Sequence, residues 1–279
     1  MKKLFLLSLA ACLLLLLPTA VFAAFDKIDI TVSLPPQAYF AEKIAGDFAS
    51  IHIMIPGGAN PETYEPTPQQ LVNLSNSRIY IKVGSPAFAF ENKYLNTFSE
   101  RNPKMTVIDT SAGVKFRTGD PHIWTSPATV RIAARNIAKA LALYDPPHKK
   151  EYEKNLATFL TEIDKLDSGI RQSLRGKTGY SFMIYHPAWG YFADEYSIIQ
   201  IPIEDKGKPG SAAHIRKMID LARQKNIREI LVQKGFDAKN ARTIADELQG
   251  KVVEVDPLDR DWANGLKSFT AALINALRK

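Results

Sequence analysis

Between residues 147 and 175 the chain carries one unbroken amphipathic stripe. Tyr152, Leu156, Phe159, Ile163, Leu166, Ile170 and Leu174 follow one another at steps of four and three, which places them on a single helical face. Asp145-Pro146-Pro147 separates this stretch from an earlier helical run, and Gly176 closes it. A helix of that length would span roughly 43 Å at 1.5 Å per residue, more than a small domain is wide. There are too few heptads, and no second seam, for a coiled coil, so the stripe is expected to act as a strut between two domains.

On either side of the strut, short β-rich runs alternate with helical ones. Strands are expected at 28–34, 50–55, 78–83 and 105–109, with helices at 36–45, 68–74, 86–98 and 127–144. After the strut, strands are expected at 180–185, 198–203, 229–232 and 251–255, and helices at 188–195, 212–225, 237–248 and 262–277. Such alternation implies βαβ units and mainly parallel sheets. The reading is an α/β protein of two similar domains joined by one long backbone helix: an N-terminal domain at 24–146, the linking helix at 147–175 and a C-terminal domain at 176–279.

Residues 1–23 are set apart. Lys2-Lys3, an apolar run from Leu4 to Leu17 and a small-residue end at Ala23 have the form of a cleaved secretory signal peptide. The run is short for a membrane span. The one cysteine, Cys12, follows Leu9-Ala10-Ala11 as in a lipoprotein box, but apolar residues continue past it, where a mature lipoprotein would turn polar. A periplasmic protein without cysteine is therefore expected, with neither a disulfide nor a thiolate metal site. The formal charge of +7 includes Lys2 and Lys3, and the other charges are interspersed. That pattern excludes a nucleic-acid footprint, and a soluble monomer is expected.

Ligands of open α/β sheets bind outside the carboxyl ends of the strands. At those ends stand Glu62 in Asn60-Pro61-Glu62-Thr63-Tyr64-Glu65-Pro66, His122 in Asp120-Pro121-His122-Ile123-Trp124, His186 in His186-Pro187-Ala188-Trp189-Gly190-Tyr191, and Asp256 in Asp256-Pro257-Leu258. Each half offers two donors, each beside a proline. Two imidazoles and two carboxylates without sulfur suit Mn²⁺ or Fe²⁺ more than a three-histidine set would, and Zn²⁺ accepts both donor types. Glu62, His122, His186 and Asp256 are the candidate metal ligands. Trp124, Trp189 and Tyr191 are expected to wall the site. His52, His148 and His214 are assigned to packing or capping, and no residue is given a catalytic role.

The same segments resemble the zinc- and manganese-binding solute-binding proteins of ABC transporters, the ZnuA/TroA-like family. The resemblance runs over essentially the whole chain beyond the signal segment. It implies two α/β domains on a rigid backbone helix, one ligand from each of the four motifs, and delivery of the ion to a membrane permease. It also implies release by small loop motions or slight domain tilting. In most members the position of Glu62 is a histidine, and the histidine-rich loop of zinc-specific members is absent here. Glu62 is expected to ligate in that histidine's place, or to leave three residues and water, with Glu65 the nearest substitute. Two other functions compete: a surface adhesin or metal buffer without transport, and a metallohydrolase. The latter needs an open coordination position and a general base, and the chain has neither His-Glu-x-x-His nor a nucleophile elbow.

Overall fold

A computed structural model describes residues 27–277, apart from 206, 237 and 238. The signal segment and Cys12 lie outside the described residues. The first half contains β1 (Ile28–Val32), α1 (Pro35–Ala45), β2 (Ala49–Ile53), α2 (Pro68–Asn76), β3 (Ile79–Lys82), α3 (Ala89–Arg101) and β4 (Thr106–Asp109). Two helices follow, α4 (Pro127–Tyr144) and α5 (Lys149–Ser173). The second half contains β5 (Ser181–Ile184), α6 (Gly190–Glu195), β6 (Ile199–Pro202), α7 (Ala212–Gln224), β7 (Glu229–Gln233), α8 (Lys239–Glu247), β8 (Lys251–Val255) and α9 (Trp262–Ala276).

Each half is a four-stranded, all-parallel sheet, with strand orders β2-β1-β3-β4 and β6-β5-β7-β8. The central strands are rich in β-branched residues and buried, as parallel strands covered by helices on both faces must be: Ile30, Val32, Ile79, Ile81, Ile184, Ile230 and Leu231 are sealed from solvent. In both sheets the chain leaves its first strand for one neighbour and returns on the other side. This reversal opens a crevice at the carboxyl edge between β1 and β3, and again between β5 and β7.

The strut exists, but it begins later than the stripe implies. Pro146 and Pro147 lack amide donors and disfavour α geometry in the residue before them, so Pro146–His148 forms a 3₁₀ turn and α5 starts at Lys149. Asp145 ties the joint, accepting from the Tyr152 hydroxyl at 2.5 Å and lying 2.7 Å from Nδ1 of His148. Over its 25 residues the helix runs about 37 Å. Its first half and middle pack on α1, where Asn155 donates to the Ile44 carbonyl and Lys43 meets Glu162. Its last turns receive the Tyr196 hydroxyl on Asp167 and pack on α9. One apolar core, containing Phe40, Phe159, Trp124, Trp262 and Phe269, runs through both halves and the helices between them.

Candidate metal centre

The His122 loop is stiff for local reasons. Asp120 receives the His122 amide on Oδ1 at 2.9 Å, an Asx turn, and Thr125 returns both its amide and its hydroxyl to the His122 carbonyl. Ser126 then caps α4, accepting from the Thr129 amide with Pro127 at the first helical position. The same Asp120 Oδ1 lies 2.9 Å from His122 Nδ1. His186, just past β5, is held alike: its Nδ1 lies 2.8 Å from Glu204 Oε2. With each Nδ1–H directed at a carboxylate, the two Nε2 atoms carry lone pairs, and they face each other at 3.3 Å. Two acceptors at that distance repel unless a cation or a proton lies between them. Both rings are buried, at 9% and 5% exposure.

The electrostatics agree with a neutral, ligating imidazole. Burial pushes the His122 pKa below the ordinary imidazole value, against the opposing pull of Asp120. Burial raises Asp120, but its bonds with His122 and the nearby Arg117 guanidinium outweigh that and hold it below the usual carboxylate range. Asp120 also marks a contact between the halves. The first residue of α6, Gly190, approaches it so closely that a Cβ there would lie 2.2 Å from Asp120 Oδ2.

Glu62, His122 and His186 line one cavity of about 220 Å³, together with Asn60, Phe88, Trp124, Gln233 and Leu258. Glu62 stands at its mouth, half exposed, with Oε1 4.0 Å from His186 Nε2. Its loop is braced by the Asn60 side chain, which accepts the Glu62 amide at 2.9 Å. Glu65 does not substitute for it, being paired with Lys93 at 3.0 Å on the surface. Asp256 is not brought to the cavity. It lines a separate crevice with Trp124 and Trp262, accepts the Leu258 amide at 2.8 Å and lies 3.9 Å from Lys234. Among the described residues, no three His, Cys, Asp or Glu side chains are gathered closely enough to hold an ion as they stand.

Strand register explains which donors meet. The β5–β6 pairing Ile184↔Pro202 continues through the bond from the Glu204 amide to the Tyr185 carbonyl, so Glu204 stands beside His186. On the other side the β5–β7 pairing Ile184↔Leu231, carried two residues further, sets Gln233 beside His186. Gln233 in turn pairs with Val255. The row at this edge is therefore Glu204, His186, Gln233, Val255. Asp256 comes one residue later, beyond the end of β8, where it accepts the Leu258 amide and lies 3.9 Å from Lys234. Glu204 and Gln233 escaped sequence reasoning because their part in the site comes from this register, while Asp120 was in plain sight within the His122 motif.

Trp124 walls the cavity, donates its indole N–H to the Pro257 carbonyl at 2.8 Å and accepts that of Trp262 on its own carbonyl at 2.7 Å. Trp189 is core, stacked on Phe269 at 3.5 Å, and the Tyr191 hydroxyl accepts the Arg117 amide. His52, His148 and His214 pair with Asp29, Asp145 and the Ile203 carbonyl, away from the cavity. The loops bearing Glu62 and Gln233 also touch: a Cβ on Gly235, whose φ is +83°, would lie 2.2 Å from the Gly58 carbonyl oxygen.

The model of the family described as zinc-uptake complex component A periplasmic, ZnuA, matches residues 30–279. The chain belongs to this family. It is 24% identical over 261 residues to the high-affinity zinc uptake system protein ZnuA of Bacillus subtilis, covering 84% of this chain and 79% of that protein. It is 26% identical over 245 residues to the manganese ABC transporter substrate-binding lipoprotein PsaA of Streptococcus mitis, covering 81% and 78%. A crystal structure of a ZnuA deletion mutant with zinc bound is 39% identical, covers 91% of this chain and 99% of that one, and superposes with a TM-score of 0.85. ZnuA family membership and the two-sheet fold thus agree with the resemblance carried by the four motifs. Among the described residues no helix is long and apolar enough to cross a membrane.

Proposed function

We propose that this protein captures one divalent transition-metal ion in the cleft between its α/β halves and delivers it to the permease of an ABC importer, acting outside the cytoplasm after cleavage behind Ala23. One observation carries the reading: His122 and His186 turn their Nε2 atoms to each other at 3.3 Å while carboxylates hold both Nδ1 atoms. Carboxylate partners fix the tautomer of a metal-binding histidine and raise its basicity. Glu62 at the mouth supplies a charged oxygen. Asp256 completes the donors by turning away from the Leu258 amide and Lys234.

With oxygen and nitrogen donors mixed, Zn²⁺ and Mn²⁺ are the ions the site takes, and the cavity leaves room for water beside either. The protein is a carrier, and its work is differential retention of an ion rather than chemistry on it. The test is metal analysis of the purified protein after exposure to competing Zn²⁺, Mn²⁺ and Fe²⁺. One tightly held equivalent is expected from the wild type and none from His122→Ala or His186→Ala. Failure of the wild type to retain any of the three at micromolar concentration overturns the reading.

A further inference from the structure

Gln233 ends β7 inside the wall of the metal cavity, 3% exposed, and its buried Oε1 has no hydrogen-bond partner among the described residues. A buried amide oxygen left unpaired keeps the full penalty of its desolvation, and an apolar residue of similar size at this position would avoid it. The neighbours of Gln233 show what the amide faces. On the same sheet edge, the next strand carries His186, whose far side is already bonded to Glu204 at 2.8 Å. Adjacent strands lie about 4.8 Å apart, so the Gln233 amide flanks the imidazole whose Nε2 points at His122.

We propose that Gln233 is a further metal ligand, supplying a neutral amide oxygen to the ion held by Glu62, His122, His186 and Asp256. The proposal rests on the metal-capture reading and deepens it. A neutral oxygen adds a coordination position without adding charge. Amide and carbonyl oxygens suit Mn²⁺, which accepts six oxygen-rich ligands, better than a four-coordinate Zn²⁺ site. Gln233 therefore biases the site towards manganese, and the half-exposed Glu62 contributes in the same direction.

The test compares the full-length mature protein with Gln233→Leu, Gln233→Glu and His122→Ala, by chelator competition for Mn²⁺ and for Zn²⁺ and by thermal melting of the metal-free forms. Gln233→Leu is expected to lower Mn²⁺ affinity at least tenfold and Zn²⁺ affinity less, while the metal-free protein melts no lower than wild type. A purely structural glutamine would give the reverse: a lower melting temperature with Mn²⁺ affinity unchanged. Gln233→Glu is expected to bind Mn²⁺ at least as tightly as wild type, and it answers the question if the leucine variant fails to fold. Unchanged Mn²⁺ affinity in Gln233→Leu, or Mn²⁺ affinity lost in Gln233→Glu, overturns the proposal. If His122→Ala also binds both ions normally, the metal site itself has been misplaced and the proposal falls with it. Loss of binding in His122→Ala alone isolates the failure to Gln233.

Discussion

Glu204 Oε2 lies 2.8 Å from His186 Nδ1, and the two side chains are only 8% and 6% exposed. Burial keeps that bond largely out of solvent, and it holds the ring with Nε2 towards His122. Glu204→Ala should leave the fold in place and lower metal affinity about 10- to 100-fold, the usual loss when the outer partner of a ligating histidine is removed. Chelator competition reads the change. Wild-type affinity in the variant would show that packing against Phe236, which stacks on His186 at 4.8 Å, orients the ring instead.

Glu62 carries the departure from the family pattern. As a ligand, its removal should cost at least what loss of an outer partner does, so Glu62→Ala should weaken Mn²⁺ binding by about 10-fold or more. Glu62→His should move preference towards Zn²⁺, because imidazole suits zinc better than manganese. Calorimetric titrations with each ion test both statements. Unchanged affinity in Glu62→Ala removes this residue from the ligand set.

Gly190 tests how tightly the halves are fitted at Asp120. Alanine there would place its Cβ 2.2 Å from Asp120 Oδ2 and 2.7 Å from Arg117 Nε. Overpacking of this kind typically costs about 1–3 kcal/mol, and relief requires Asp120 to move off His122. Gly190→Ala should therefore lose stability in urea and metal affinity together. A loss of stability with affinity intact would mean that Arg117 alone yields.

Glu91 gives the protein a pH dependence distinct from that of the metal site. Its carboxyl accepts from the Val83 and Gly84 amides and from the Ser33 hydroxyl. Burial outweighs those three bonds and pushes its pKa up to about 7. An unfolded glutamate titrates near 4.3, so between the two values the folded state holds more protons. The contribution to stability is full below the unfolded value and is lost as pH rises through about 7. The slope is at most about 1.4 kcal/mol per pH unit. Urea unfolding of the metal-free protein at pH 5, 6 and 7 should show that decline, and Glu91→Gln should flatten it. An identical slope in the variant would place the titration elsewhere.

The fold was legible because alternation and prolines are local signals. The strands at Ile79–Lys82 and Glu229–Gln233 and the helix at Pro127–Tyr144 follow from β-branched runs, proline starts and apolar periodicity. The histidine pair was legible for the same reason, since His122 and His186 sit on short stiff loops at strand ends. Asp256 shows the limit. Its motif resembles the others, but how far its side chain stands from the cavity depends on pairing with the neighbouring strand, which the motif does not encode. Val255 takes the place beside Gln233, and Asp256 turns to Lys234. Glu204 was invisible from the opposite cause: nothing near it in the chain marks it as a partner for a histidine eighteen residues earlier.

Where Gly58 and Gly235 meet, two stretches of backbone lie directly against each other. Tilting either half, by contrast, would have to shear α5 away from α1 or α9. A partner that prises the seam apart would expose the imidazoles to water while the spine behind them stayed still.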